Sequence, residues 1–195
     1  PVQTYVLEYD APVIEEAIRR ELRRGGQVFY LYNIVEGIYN VAKRLQDAIP
    51  DALIAIAHGK MEREDIEAVW EELLKGNVDI LVCTTIIETG IDIPNANTLI
   101  IENADHYGLS QLHQLRGRVG RGQAKSYCIL LSEHPGEETR RRLKVMTRTN
   151  NGFEISQEDL HLRGPGDFFG QRQHGLPAMK IADLSCDMRL LDEAQ

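Results

Sequence analysis

No apolar run in this 195-residue sequence is long enough to span a bilayer, so no membrane-spanning helix is expected within it. Pro1-Val2-Gln3-Thr4 has neither the basic stretch nor the apolar stretch of a secretory leader. It has no initiator Met either, as expected of a domain cut from a longer polypeptide. Cysteine is sparse: Cys83, Cys128 and Cys186 are far apart and odd in number. They lack the CxxC or Cys/His spacing of a zinc site, and they form no disulfide framework. Cys83 and Cys128 lie in apolar runs and read as buried thiols in a reducing cytoplasm. Positive charge is short overall, 22 Lys+Arg against 30 Asp+Glu, for a net charge of −8.

What is present is an ordinary globular composition, 43% hydrophobic and 27% charged. The charge is unevenly spread. Residues 1–105 hold 9 basic against 19 acidic side chains, residues 106–181 hold 12 against 7, and residues 182–195 hold 1 against 4. A local basic field decides where a polyanion docks, whatever the total charge, although an asymmetry of this size also arises by chance.

Short apolar runs alternate with amphipathic ones. Strands are expected at 2–7, 28–31, 53–57, 79–83, 98–101 and 126–131, and helices at 11–24, 36–49, 62–74 and 109–119. Strict alternation with buried strands predicts an α/β layer fold with a largely parallel sheet. Beyond residue 133 the pattern changes to helices at 137–147 and 156–163, joined by Asn150-Asn151-Gly152, and a Gly-rich stretch. The expected division is 1–133 for the α/β unit and 134–195 for a helical hairpin, loop and tail.

Two strings carry chemistry. In Gln114-Leu115-Arg116-Gly117-Arg118-Val119-Gly120-Arg121, a persisting helix would put Gln114, Arg118 and Arg121 on one face. Guanidinium binds phosphate oxygens bidentately and stays charged. Gly117 and Gly120 would each cost about 1 kcal/mol in a helix interior, so something should compensate. The string fits an exposed Arg-rich helix end as well. In Val82-Cys83-Thr84-Thr85-Ile86-Ile87-Glu88-Thr89-Gly90-Ile91-Asp92-Ile93-Pro94, a buried strand runs into hydroxyls, a carboxylate, Gly and Asp. Such groups are expected at the carboxyl end of the strands, where α/β sheets bind ligands. A turn capped by Thr84 or Thr85 fits the same residues.

Together the strings resemble motifs V and VI of superfamily 2 helicases, and the run Asn103 to Arg121 resembles the RecG/Mfd branch of DNA translocases. Up to about Asp105 the sequence is closer to Mfd; from about Tyr107 onward it is closer to RecG. The resemblance implies a RecA-like parallel sheet flanked by helices, the second of two motor lobes, with a C-terminal helical hairpin and loop. It implies Arg118 and Arg121 as arginine fingers, with Gln114, Glu88, Gly90 and Asp92 at the edge of bound ATP. It implies His58, Gly59, Thr84 and Thr85 against the DNA backbone. An ordinary strand-to-helix turn also accounts for His58-Gly59. The segment after 133 resembles the "translocation in RecG" motif, in which Arg163, Gln173 and Gly175 would couple lobe closure to movement; a flexible surface loop is the alternative.

No G-x-x-x-x-G-K-[ST] string and no Asp-Glu box is present. ATP and Mg²⁺ would therefore be held mainly by lobe 1 of the same polypeptide, and the chain alone is expected to be inactive. The implied partners are double-stranded or branched DNA, and RNA polymerase if the role is Mfd-like, in a bacterial cytoplasm at the nucleoid, with no membrane. The rival is a stand-alone DNA-binding module without motor activity, which explains the basic segment but not two motifs at family spacing.

Overall fold

A computed structural model of the chain describes residues 2–84 and 92–162. Its centre is a six-stranded sheet. The strands are β1 (Val2–Glu8), β2 (Gln27–Leu31), β3 (Ile54–Ala57), β4 (Ile80–Cys83), β5 (Ala96–Ile101) and β6 (Ser126–Ser132). Their order is β1-β6-β5-β2-β4-β3, and every neighbouring pair is parallel.

Strand pleating divides the core. Val28, Tyr30, Ile80, Val82, Ile100 and Ile129 face one side. There they meet α1 (Ala11–Arg23), through Ile14 and Ile18, and α2 (Val35–Ala48), through Ile38, Val41 and Leu45. Phe29, Leu31, Leu81, Cys83, Leu99, Ile101 and Leu130 face the other side. Helix α3 (Arg63–Leu74) covers them with Trp70 and Leu73, and α4 (Leu109–Arg116) with Leu109, Leu112 and Leu115. Helix α5 (Glu137–Arg148) brings Leu143, Val145 and Met146 into the same cluster, and Ile155 of a further helical run at 152–162 joins them. Both faces of the inner strands are covered, so β2, β4, β5 and β6 are buried almost throughout, while the edge strand β1 keeps exposed positions at Tyr5 and Glu8.

Two elements differ from the sequence expectation. Helix α4 stops at Arg116, with Gly117 as its C-cap. Arg118 N–H bonds to Leu115 O and Val119 N–H to Arg116 O, an i→i−3 tightening, and the chain then reverses at Gly120 with φ +83°. Neither glycine therefore sits in a helix interior, and the expected interior penalty does not arise. The second helix of the hairpin begins at 152, not 156. Asn151 Oδ1 accepts from the N–H groups of Phe153 and Glu154, the geometry of an N-cap.

Candidate functional site

Parallel topology sorts the candidate residues onto two edges of the sheet. His58 and Gly59 follow β3 and Thr84 follows β4, so all three lie at the carboxyl edge. The register that pairs Ala57 with Cys83 makes His58 and Thr84 neighbours, and Thr84 N–H bonds to Ala57 O at 3.2 Å. Asp92 precedes β5, and Arg118 and Arg121 precede β6, so these three lie at the opposite, amino edge. The expectation that the whole 82–94 run gathers at the carboxyl edge is corrected accordingly. Of its described residues, Thr84 lies at one edge and Asp92 at the other.

At the amino edge the two motif strings meet. Arg121 Nη1 lies 3.2 Å from Asp92 Oδ1, and Arg121 Nε donates to Gly117 O at 2.9 Å. The second bond lays the guanidinium over the C-terminus of α4, where carbonyls are unpaired and the helix dipole favours a cation. Arg121 thus arrives by a folded-back turn, not along a continuing helix face as expected. The ion pair is open to solvent, with side-chain exposures of 41% and 62%. Such a pair is worth at most about 1 kcal/mol, and a phosphate arriving at Arg121 displaces it easily. Among the described residues Arg121 Nη2 has no partner, so the fork keeps donors for an oxyanion. Gln114 is exposed and Arg118 half-buried on the same segment. Gly122 closes the junction: a Cβ there would stand 2.5 Å from Pro94 O.

At the carboxyl edge His58 is almost covered, and both ring nitrogens are engaged. Lys60 N–H points at Nδ1 at 3.1 Å, and Tyr39 Oη lies 3.0 Å from Nε2. Gly59 is exposed and would accept a Cβ without contact within 4 Å. The Thr84 hydroxyl is buried without a hydrogen-bond partner among the described residues. Thr85, Glu88 and Gly90, and likewise Arg163, Gln173 and Gly175, lie outside the described residues.

Sequence reasoning missed the largest polar group in the core. Arg116 is fully buried. Its guanidinium donates to Thr4 Oγ1 at 2.9 Å, Met146 O at 2.5 Å and Thr149 O at 3.0 Å. It thereby caps the carbonyl end of α5 and ties the hairpin turn to α4. The signal was available: Leu109, Leu112 and Arg116 fall on one helical stripe, so a cation stands where the period demands an apolar side chain. Arg142 makes a second tie, donating to Asp105 O at 2.8 Å and Tyr107 O at 2.9 Å just before α4. Of the basic run on α5, Arg140, Arg141, Lys144 and Arg148 remain exposed.

With this sheet and the meeting of motifs V and VI at its amino edge, the chain belongs to the helicase conserved C-terminal domain family, whose model matches residues 11–123. A second model, described as ATP-dependent DNA helicase RecG, domain 3, C-terminal, matches residues 149–195. The transcription-repair-coupling factor of Escherichia coli K12 is 49% identical over 99% of the chain, and that of Staphylococcus aureus USA300 is 51% identical over 100%. The chain spans 17% of the length of each. A structure of RecG bound to a three-way DNA junction is 41% identical with TM-score 0.75, covering 85% of this chain and 23% of that one. Mycobacterium smegmatis helicase Lhr, bound to single-stranded DNA and AMP-PNP, shares the fold at 19% identity and TM-score 0.54, over 74% of this chain and 22% of that one. Within the family the chain falls in the RecG/Mfd branch of superfamily 2. The coupling factors match along the whole chain, and the RecG model matches its C-terminal part.

Proposed function

We propose that this chain is the second motor lobe of an ATP-dependent double-stranded DNA translocase acting in repair or recombination. Arg118 and Arg121 serve as arginine fingers at an ATP site whose phosphate cradle and Mg²⁺ ligands belong to lobe 1 of the same polypeptide. Gln114, Glu88, Gly90 and Asp92 border the nucleotide. The carboxyl edge, with His58, Gly59 and Thr84, faces the DNA backbone, and Thr85, next in the sequence, is assigned the same role. The hairpin, through Arg163, Gln173 and Gly175, couples lobe closure to movement on duplex DNA in a bacterial cytoplasm. RecG-like fork remodelling and Mfd-like transcription-coupled repair are the two jobs this serves, the second adding RNA polymerase as a partner.

The observation that carries the reading is the 3.2 Å approach of Arg121 to Asp92, side chains 29 residues apart in sequence. It puts an open, weakly held guanidinium beside a carboxylate suited to a ribose hydroxyl. Fingers of this kind stabilise transition-state charge and are worth roughly 10³–10⁵ in rate, about 4–7 kcal/mol. The chain itself fits one half of such a site, since it has phosphate-binding donors but no phosphate-binding loop. In the two-lobed parent protein, Arg118→Ala and Arg121→Ala should each abolish DNA-stimulated ATP turnover while circular dichroism stays unchanged. Near-normal turnover in both variants removes them from the site. The 195-residue chain alone should show no significant ATPase activity, and robust DNA-stimulated turnover by it would refute the shared-site reading.

A further inference from the structure

The carboxyl edge presents a different group to DNA than the sequence suggests. His58 is only 7% exposed, and its two nitrogens are spoken for. The Lys60 N–H, 3.1 Å from Nδ1, can only donate, so Nδ1 holds the lone pair. In the neutral ring the proton is then on Nε2, which donates to Tyr39 Oη at 3.0 Å. The phenol oxygen therefore accepts from the imidazole, and its own O–H is left to point elsewhere. Tyr39 is 56% exposed, and its ring meets the His58 ring edge-on, with centroids 5.7 Å apart and an interplanar angle of 80°. Elsewhere is solvent.

We propose that Tyr39, on α2, donates its phenolic proton to a phosphate oxygen of the DNA backbone, and that His58 is the positioning residue that orients it. This rests on the reading that the carboxyl edge faces DNA. A phenol that accepts one hydrogen bond donates a stronger one, because the two polarise each other. Bonds to a charged phosphate are also the stronger class. Gly59, beside His58, offers no side chain to obstruct the approach. Lys60 lies on the same loop; its ion pair with Glu36 is long at 4.0 Å and open to water, so it holds the ammonium only weakly against turning to the same strand.

The test measures duplex affinity of the full-length parent protein by fluorescence anisotropy at one fixed salt concentration. Tyr39→Phe keeps the ring against His58 and removes only the hydroxyl; it should weaken binding about 10-fold. Gly59→Glu, which the open loop accommodates, places a negative charge at the edge and reports whether DNA lies there at all. Weakening by Gly59→Glu with Tyr39→Phe unchanged overturns the assignment of Tyr39 alone. Unchanged affinity in both overturns the carboxyl-edge reading and the inference with it. A purely structural effect is separated by DNA with single neutral methylphosphonate linkages. One such position should weaken the parent protein yet leave Tyr39→Phe no weaker than it already is. A methylphosphonate scan in which every position weakens both proteins equally would overturn the direct contact.

Discussion

Single residues here owe their behaviour to what surrounds them. Cys83 is fully buried on β4, and burial pushes its thiol well above the ordinary cysteine range. Its thiolate population at neutral pH is accordingly negligible. Maleimide labelling read by mass spectrometry should leave Cys83 unmodified between pH 7 and 9 and modify it once denaturant unfolds the sheet. Arg116 is the opposite case, a charge whose burial is compensated by three acceptors. Arg116→Met leaves the Thr4 hydroxyl and two carbonyls without that donor, so urea unfolding should lose about 3 kcal/mol or more. Arg121→Ala, which removes an exposed pair, should lose less than about 1 kcal/mol. If the two cost the same, the division between a structural and a functional arginine within one motif fails.

At the scale of elements, glycines set which segments can touch. Gly122 lets the turn after Arg121 press against Pro94, with room for no Cβ. Gly122→Ala should therefore push apart the loops carrying Asp92 and Arg121. ATP turnover of the two-lobed parent should fall at least as much as stability does, which is about 1–2 kcal/mol; turnover at the parent level would show that this junction is not needed. Gly26 has a reason that periodicity does not reveal. The chain turns out of α1 at Gly25, with φ +84°, and at Gly26 a Cβ would overlap the Glu21 carboxylate. That carboxylate is buried and held by Arg24 and by the Thr98 hydroxyl. Apolar runs place every described strand to within a residue or two, most sharply for the four inner strands β2, β4, β5 and β6, which are buried along nearly their whole length. The length of α4 was misread because a periodic pattern continues through Val119, while the C-cap at Gly117 depends on backbone geometry. Asn150-Asn151-Gly152 reads in the sequence as the joint of the hairpin, whereas only the backbone shows Asn151 capping the helix.

For the whole molecule, the sheet separates two edges, and α5 is tied to the amino-edge segment from within. Arg116 joins α4 to the end of α5, and Arg142 joins α5 to the carbonyls just before α4. These bonds join the hairpin to the helix that ends beside Arg118 and Arg121. Arg142→Ala should leave ATP turnover of the two-lobed parent largely intact while lowering the distance translocated per ATP, measured by triplex displacement. Equal losses in both would place Arg142 in folding, not in coupling.

The sequence by itself determined the α/β class, the family and the identity of the two motif strings, because these depend on local periodicity and on residue types at fixed spacing. Only the tertiary structure decided that Asp92 and Arg121 meet at one edge while His58 and Thr84 sit at the other. It alone showed that Arg116 is a core clamp and that Tyr39 stands outermost beside His58. Parallel strands bring together segments far apart in the chain, and which nitrogen, hydroxyl or guanidinium remains available is fixed only once its neighbours have been satisfied.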